Sequence, residues 1–404
     1  MALDAILAHK RDEVARRKAT VSLESHLAAC SPSDRDFAAA LRAGRPGFVL
    51  EVKFASPSRG TIRRDTGLEP VLAAYRHADA ISVLTDERFF GGSLERLAEV
   101  RRTVPQPVLC KDFILEPYQV AEARRHGADA ILLILAAVDD DAWRDCSGLA
   151  ERLRMAVITE AHSAGELDRA VALGAAIIGI NNRDLRTLAI DPATTGRLAP
   201  RVPANRLVVA ESGICSREDV EALRPFADAM LVGSALMEEP DIDPAVRRLV
   251  YGRTKICGLT SREDAALARE AGATHGGLVF VEGSPRKLIP DQARRVRSEI
   301  GLEWVGLFLD RSPAEVAATA EELDLAAVQL YGYDRDGVAE IRARLPARCE
   351  TWAAVRVRDT IPRRADSGAD RLLLDAAADG ALGGSGHRFD WGLLRSHEER
   401  REIV

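Results

Sequence analysis

The sequence predicts an α/β fold of two tandem (β/α)8 TIM-type barrels, the second with only about six β/α units present. Short apolar strands alternate with charged helical segments along the chain, and the alternation restarts near residue 254. Spacings with room for one helix between strands are typical of a parallel sheet. A weak internal repeat supports this, because HADAISVL, GADAILLIL, GAAIIGI and FADAMLVG each close a helix and enter a strand.

The first domain, residues 1–250, begins with the segment LDAILAHKRDEVARRKA. This segment predicts an extra amphipathic helix that caps the barrel bottom or reaches over the site. A doubly wound open sheet is the main alternative to a barrel, but no G-x-G-x-x-G follows the first strand. The strands of the predicted complete barrel are FVLEVK at 48, AISVLT at 80, PVLCKDF at 107, AILLIL at 130, MAVITE at 155, AIIGINN at 176, RLVVAES at 206 and AMLVGS at 229.

The second domain, residues 254–404, follows a linker at residues 251–253. Residues 253–404 are fewer than the ~200 at the lower end for such barrels, so we expect this domain to be incomplete at its C-terminus. Its predicted strands are TKICGL at 254, HGGLVF at 275, EWVGLFL at 303, LAAVQLYG at 325, ETWAAV at 350 and RLLLD at 371.

Composition excludes several classes of protein. The 404 residues include 56 Lys+Arg and 62 Asp+Glu, for a net charge of −6 without a basic block, which argues against a nucleic-acid partner. The longest apolar run, residues 130–138, is far short of the ~20 residues of a membrane span. Six cysteines without a C-x-x-C pair suit a reducing cytosol and argue against a zinc site. We expect a soluble cytoplasmic protein with no metal, nucleic-acid or membrane partner.

Polar residues end many strands of the first domain, and in this fold the active site lies at the C-terminal strand ends. Glu51 and Lys53, two residues apart on a strand, share one face. An isolated pair of this kind is usually structural, but further polar residues converge on the same mouth. Lysines among glutamates stay protonated despite burial, so one can donate a proton at neutral pH. The other candidate catalytic residues are Lys111, Glu160, Asn181, Glu211 and Ser212.

Glycines follow the last two strands of the first domain. Gly213 comes after strand seven, and Gly233 with Ser234 comes after strand eight at a helix start. A tight turn is the ordinary role of each glycine taken alone. Backbone N–H groups at these two places in a barrel often bind phosphate, which favours a phosphorylated substrate.

The motifs EVKFASPSRG, CKDF, ITEAH, GINNRDL, AESGI and LVGSALM resemble indole-3-glycerol phosphate synthase in the right order. The resemblance implies a substrate in which an anthranilate is joined to an open-chain deoxyribulose 5-phosphate. It further implies that Lys111 is the acid in ring closure, and that Lys53 with Glu51 or Glu160 serves the dehydration. No cofactor is required, because the iminium formed on ring closure accepts the electrons released with CO₂. The resemblance assigns phosphate binding to Ser56, Gly213, Gly233 and Ser234, and the anthranilate side to Phe113 and Arg183.

The motifs TKICGLTSREDA, GGLVFVEGSPR, AAVQLYG, LLLDA and GGSGHRFDW resemble phosphoribosylanthranilate isomerase. Outside this context Cys257 would be interpreted as a small buried hydrophobe. The resemblance implies that Cys257 is the base and Asp375 the acid of an Amadori rearrangement. Arg286 would pair with the substrate carboxylate, a task suited to a guanidinium. The candidate phosphate-binding residues of this domain are Gly383, Gly384, Ser385 and Gly386.

The second domain departs from that family in two ways. Tyr331 stands in QLYG where members usually have a histidine, and two further glycine-bearing β/α units do not follow FDWGLLRSHEERREIV. A barrel lacking two strands would expose two sheet edges, so we expect possible self-association through this domain.

Three hypotheses therefore stay open from the sequence. The chain is a bifunctional enzyme acting on small phosphorylated anthranilates, a monofunctional synthase with a structural or partner-binding appendage, or another phosphosugar barrel such as an epimerase or aldolase. The last is the weakest, because an aldolase lysine must lose its proton and neighbouring glutamates oppose that loss.

Overall fold

The computed structural model describes residues 2–43, 46–56, 60–63, 67–376, 388–395, 397 and 403. The chain divides into two compact units, Met1–Val250 and Tyr251–Val404. We call them unit 1 and unit 2, and each is described by itself.

Unit 1 alternates strands and helices. Its strands are β1 Gly47–Val52, β2 Ala55–Ser56, β3 Gly60–Thr61, β4 Ala80–Leu84, β5 Val108–Lys111, β6 Ala130–Ile134, β7 Ala156–Ala161, β8 Ile177–Asn181, β9 Leu207–Glu211 and β10 Ala229–Val232. Its α-helices are α1 Ala2–Thr20, α2 Leu23–Ala28, α3 Phe37–Ala43, α4 Leu68–Ala74, α5 Glu87–Phe90, α6 Leu94–Thr103, α7 Pro117–Arg125, α8 Asp140–Arg152, α9 Ala164–Ala172, α10 Ala193–Leu198, α11 Arg217–Leu223, α12 Ser234–Met237 and α13 Ile242–Tyr251, with 3₁₀ turns at Tyr75–His77 and Ala199–Arg201.

Eight parallel strands of unit 1 close into a barrel in the order β1-β10-β9-β8-β7-β6-β5-β4. The predicted complete barrel is confirmed. Its register places Asn181 beside Glu211 and Lys111 beside Leu84 at the C-terminal strand ends. A short antiparallel ribbon of β2 and β3 follows β1 and was not predicted.

Alternation along each strand sorts its side chains between two cores. Phe48, Leu50 and Val52 of β1 belong to the outer core under the helices, whereas Val49 belongs to the barrel interior. Because side chains two apart share a face, Glu51 lies on the inner side with Val49. The same rule turns Lys111, Glu160 and Glu211 inward, following Leu109, Ile158 and Val209 of the interior cluster. The charged residues therefore occupy the last inward positions of buried strands.

The extra N-terminal helix lies at the mouth of the barrel, which decides between the two predicted places. Lys10 of α1 pairs with Asp86 and Asp112, which follow the C-terminal ends of β4 and β5. The opposite end is covered by α3, whose Leu41 carbonyl oxygen lies 2.6 Å from the point where a Cβ on Gly47 would be. A larger residue than glycine at the start of β1 would collide with this helix.

Unit 2 holds a six-stranded parallel sheet in the order β11 to β16, with no pairing of β11 to β16 among the described residues. The prediction of about six β/α units is confirmed. Its strands are β11 Lys255–Cys257, β12 His275–Val279, β13 Glu303–Leu309, β14 Ala327–Tyr331, β15 Glu350–Val357 and β16 Arg371–Ala376, and its α-helices are α14 Arg262–Glu270, α15 Pro290–Arg297, α16 Pro313–Glu322, α17 Arg335–Arg344, α18 Arg364–Ser367 and α19 Gly392–Arg395.

Candidate active sites

A cavity opens at the C-terminal mouth of the barrel in unit 1. It gathers residues from β1, β5, β7, β8 and β9 and from the loops that follow β9 and β10. The predicted residues that line it are Glu51, Lys53, Lys111, Phe113, Glu160, Asn181, Arg183, Glu211, Ser212, Gly213, Gly233 and Ser234. Ser56 is buried in β2 and is not among its lining residues.

Lys111 occupies the centre of the charged group in this cavity. Its Nζ lies 2.8 Å from Oε2 of Glu211 and 3.4 Å from Oε2 of Glu160. Burial alone would lower the pKa of Lys111, but the charges of Glu211, Glu160 and Glu51 raise it above its ordinary value. A lysine held in this way is protonated at neutral pH and can act as a general acid.

The two glutamates that flank Lys111 are in different protonation environments. Burial raises the pKa of Glu211 to about 7, with Lys111 opposing and Glu160 reinforcing the shift. Burial also acts to raise the pKa of Glu160, but Lys111 and His162 lower it below its ordinary value. Neighbouring carboxyls with separated pKa values can serve as acid and base in one reaction.

Glu51 and Lys53 form a second ion pair in the cavity, with Lys53 Nζ 2.5 Å from Glu51 Oε1. Tyr75, which is fully buried, donates its hydroxyl to the backbone carbonyl of Glu51 at 3.1 Å. Gly233 packs against the same carboxylate, since a Cβ there would lie 2.4 Å from Glu51 Oε1. Tyr75 therefore fixes the main chain of Glu51, and Gly233 leaves space for the Glu51 carboxylate.

The loops after β9 and β10 carry the predicted phosphate-binding glycines of unit 1. Ser212 and Gly213 both adopt positive φ, 66° and 77°. A Cβ on Gly213 would also lie 2.7 Å from Ile190, so glycine is required there on two counts. Gly233 is the N-cap of α12, and Ser234 begins that helix.

The aromatic side of the cavity is formed by Phe113 and Phe90, whose ring centroids lie 6.2 Å apart. Arg183, in the loop after β8, lines the same cavity. Its Nη1 donates to the carbonyl of Leu188 at 3.1 Å, and its backbone N–H donates to Asn181 Oδ1 at 2.9 Å. A flat ring could pack against the phenylalanines with a guanidinium close by.

Two residues of this site were missed by the sequence reasoning. His162 lies 3.0 Å through Nε2 from Oε1 of Glu160, and it comes two residues after Glu160 in the motif ITEAH. Gly179 lies on the inward face of β8, where a Cβ would be 2.3 Å from Oε1 of Glu211. The two-residue spacing between Glu160 and His162 could have predicted that the histidine lies near the site. No feature of the neighbouring sequence predicts that Glu211 approaches Gly179.

A smaller group of candidates meets in unit 2. Cys257 ends β11 and is exposed, and a Cβ on Gly277 of the adjacent strand would lie 3.2 Å from its Sγ. Arg286 donates from Nη1 to the carbonyl of Cys257 at 3.1 Å. Asp375 lies on β16. Burial, followed by the charges of Asp375 and Cys257, raises the pKa of Tyr331 to about 12, so this phenol stays neutral.

A series of hydrogen-bonded polar side chains on neighbouring strands leads to Tyr331 in this group. Lys255 of β11 contacts Oε1 of Gln329, and Gln329 donates from Nε2 to the hydroxyl of Tyr331 at 2.7 Å. Burial lowers the pKa of Lys255, and the neighbouring Cys257 opposes that shift. The candidate phosphate residues Gly383, Gly384, Ser385 and Gly386 lie outside the described residues.

Two further findings concern the part of the chain that the structure describes. It contains no group of three or more His, Cys, Asp or Glu side chains arranged to hold a metal ion. None of its helices combines the length and the apolar character needed to cross a bilayer.

Comparison with known proteins gives matches for both units. Residues 3–249 match the family model described as indole-3-glycerol phosphate synthase, and residues 254–404 match N-(5'phosphoribosyl)anthranilate (PRA) isomerase. The tryptophan biosynthesis protein TrpCF of Yersinia pestis is 47% identical over 97% of this chain and 82% of its own length. TrpCF of Vibrio cholerae is 44% identical over 98% of this chain and 84% of its own length. A crystal structure of phosphoribosyl anthranilate isomerase from Thermus thermophilus is 30% identical over 37% of this chain and 74% of that chain, with a TM-score of 0.33.

Proposed function

The chain belongs to the TrpCF family of bifunctional tryptophan biosynthesis enzymes, and from that premise we propose how its residues divide the two reactions. It combines an indole-3-glycerol phosphate synthase, a carboxy-lyase, with a phosphoribosylanthranilate isomerase. The monofunctional alternative is not favoured, and an epimerase or aldolase is set aside. We assign the synthase reaction to residues 1–250 and the isomerase reaction to residues 254–404.

In the synthase, Lys111 is the acid of ring closure. The anthranilate ring carbon attacks the ketone of carboxyphenylamino-deoxyribulose 5-phosphate, a carbon–carbon bond forms, and Lys111 gives its proton to the ketone oxygen. Loss of CO₂ then returns the electron pair of the breaking bond to the iminium of the ring. The position of Lys111 Nζ between Glu211 and Glu160 carries this proposal, because it keeps the ammonium charged inside a buried cavity.

Dehydration requires a second acid and a base. Lys53 protonates the departing hydroxyl, and a carboxylate removes the proton whose loss completes the indole. We favour Glu160 of the two candidates, since Lys111 and His162 keep its carboxylate ionised and it lines the cavity. Glu51 then holds Lys53 in place at 2.5 Å.

The substrate lies with its phosphate at Gly213, Gly233 and Ser234 and with its anthranilate ring against Phe113. The positive φ of Gly213 and the start of α12 at Ser234 support the phosphate end. Arg183, which lines the same cavity as Phe113, would pair with the anthranilate carboxylate, and Asn181 and Ser212 belong to the polar lining. Ser56 stays a predicted phosphate ligand.

In the isomerase, Asp375 protonates the ribose ring oxygen as the ring opens, and Cys257 removes the proton from the adjacent carbon. The resulting enol then becomes the ketone of the synthase substrate. The proximity of Tyr331 to both Cys257 and Asp375 supports their assignment to one site. Arg286, which donates to the Cys257 carbonyl, would pair with the substrate carboxylate.

Self-association through unit 2 is a further proposal. Among the described residues the edge strand β11 pairs with β12 alone, which leaves hydrogen-bonding groups of that sheet edge open to a second chain. The other edge strand, β16, pairs with β15 and is also joined at Leu372 by a bridge from Ile403. Sedimentation velocity over a range of concentrations tests this, and a monomer at all of them contradicts it.

The decisive experiment supplies the purified chain with each of the two substrates and follows fluorescence. It is repeated on Lys111→Ala and Cys257→Ala. We expect Lys111→Ala to lose indole formation and keep isomerisation, and Cys257→Ala to show the reverse. Wild-type turnover of the synthase substrate by Lys111→Ala would refute the assigned mechanism.

A further inference from the structure

His162 has no part in the chemistry assigned above, yet it contacts the glutamate that acts there as base. Its ring follows the end of β7, and its side chain is 10% exposed. Nε2 lies 3.0 Å from Oε1 of Glu160, and Nδ1 lies 3.2 Å from Oε2 of Glu166. Each ring nitrogen therefore faces a carboxylate.

Nδ1 is within hydrogen-bonding distance of Glu166 and Nε2 is within ion-pair distance of Glu160. Carboxylates beside both nitrogens favour the imidazolium over a neutral imidazole, which has only one N–H. Burial by itself would lower the pKa of His162, but its contacts with Glu160 and Glu166 raise it to about 10. Asp184, in the loop after β8, also interacts electrostatically with the ring, and its negative charge favours the cation as well. His162 is therefore charged at neutral pH.

The turn between β7 and α9 is built to hold this ring. Glu166 lies in the first turn of α9 and accepts from the backbone N–H of His162 at 2.7 Å as well as facing Nδ1. Ser163 caps the same helix by accepting from the N–H of Glu166. Main chain and side chain of His162 are thus fixed to one carboxylate, and Nε2 is left for Glu160.

Each carboxylate oxygen of Glu160 therefore contacts a different cation. Oε1 faces His162 and Oε2 faces Lys111 at 3.4 Å, so the carboxylate has a cation on each side. Glu211 is also close to it, and the ion pair of Glu211 within the described part of the chain is with Lys111 at 2.8 Å. The histidine is what distinguishes the environments of the two glutamates.

We propose that His162 is a positioning residue that fixes the orientation of Glu160 and keeps it ionised, so that Glu160 rather than Glu211 accepts the proton during indole formation. This inference rests on the proposed synthase reaction.

The test is the pH dependence of kcat for indole formation by the full chain. Replacing the imidazolium by a neutral amide in His162→Gln removes one of the two cations beside Glu160. The pKa of Glu160 then rises, and the acidic limb of the profile moves to higher pH by at least ~1 unit, with KM changed less than ~3-fold. Glu166→Gln keeps the His162 ring but removes one of the two carboxylates that stabilise its charged form. The acidic limb is expected to move in the same direction, by a smaller amount than in His162→Gln.

His126→Gln is the matched control. This histidine ends α7, and its ring contacts the carbonyl of Glu122 at 2.8 Å, away from the cavity. Its profile is expected to superimpose on that of the wild type. If His162→Gln does not fold, Glu166→Gln decides the matter alone, and an unmoved limb in the folded variants overturns the inference.

A second readout is independent of turnover. Nitrogen NMR of the His162 ring in the full chain is expected to show imidazolium from neutral pH to well above pH 8, and a neutral ring at pH 7 would overturn the proposal.

The variant Glu160→Gln separates this inference from the proposed function on which it rests. Suppose that Glu160→Gln loses indole formation but the acidic limb of the kcat profile is unchanged in His162→Gln and Glu166→Gln. That result refutes only the role of His162. Full turnover in Glu160→Gln refutes the assigned reaction as well.

Discussion

Replacing Lys10 by Met tests whether a buried ion cluster fastens α1 across the mouth of the synthase barrel. Lys10 Nζ lies 2.8 Å from Asp112 Oδ1, 2.9 Å from Asp86 Oδ2 and 3.0 Å from Glu13 Oε2. Its side chain is 1% exposed. Met is similar in length and carries no charge, so the variant removes the cation with little change in packing volume.

The expected loss of folding stability in Lys10→Met follows from the buried carboxylates that are left without their cation. Asp86 and Asp112 are 0% and 6% exposed in their side chains, so water cannot take the place of the ammonium. Removing one partner of a buried ion pair costs about 3–5 kcal/mol. At about 2–4 °C per kcal/mol for a unit of this size, the unfolding midpoint falls by roughly 6–20 °C.

The pH dependence of this contribution has a definite sign. Burial acts to lower the pKa of Lys10, but Asp112 and Asp86 raise it above its ordinary value. A raised folded-state pKa gives stability that is complete below the unfolded-state pKa of about 10.4 and is lost as pH rises through the folded-state pKa. The cost of Lys10→Met is therefore expected to be constant across the neutral range.

Lys18→Met on the same helix is the matched control. Lys18 Nζ lies 2.7 Å from Glu116 Oε1, but the two side chains are 49% and 38% exposed. A solvated pair of this kind contributes about 0–1 kcal/mol. Both variants are unfolded in urea and followed by far-ultraviolet circular dichroism. A cost for Lys10→Met no greater than that for Lys18→Met would refute the reasoning, and partial recovery in Lys10→Met with Asp86→Asn would support it.

Three further predictions concern the sites. Glu51→Gln is expected to lower kcat for indole formation by ~10²-fold or more without loss of fold, because Lys53 loses its anionic partner; near-normal kcat would contradict the assignment. Gly179→Ala is expected to displace the Glu211 carboxylate, which its Cβ would approach to 2.3 Å, and to lower kcat, whereas Gly165→Ala, with nothing within 4 Å, leaves kcat unchanged. Arg286→Lys is expected to raise KM of the isomerase ~10-fold while leaving synthase kinetics intact, because a lysine cannot pair with a carboxylate through two parallel bonds; an unchanged KM would place the substrate carboxylate elsewhere.

The composition of the synthase site follows from the linear sequence. Strand spacing predicts the barrel, and parallel strands that close into a barrel bring their C-terminal ends to one mouth. Period-two alternation then decides which residues face inward. Lys111, Glu160 and Glu211 could therefore be assigned to one cavity from their places at strand ends. The six strands of unit 2 could likewise be predicted from the sequence.

The pairing within that site depended on the tertiary structure. Lys111 meets glutamates 49 and 100 residues away, and which of them lies closer is set by barrel closure and register. The second cation beside Glu160 comes from His162, whose ring is aimed by Glu166 on the following helix. The helix α1 could have covered either end of the barrel until Lys10 was seen among Asp86 and Asp112. A sequence specifies which charges are present and which face they occupy, whereas the pKa of each group depends on distances and burial that exist only in the folded chain.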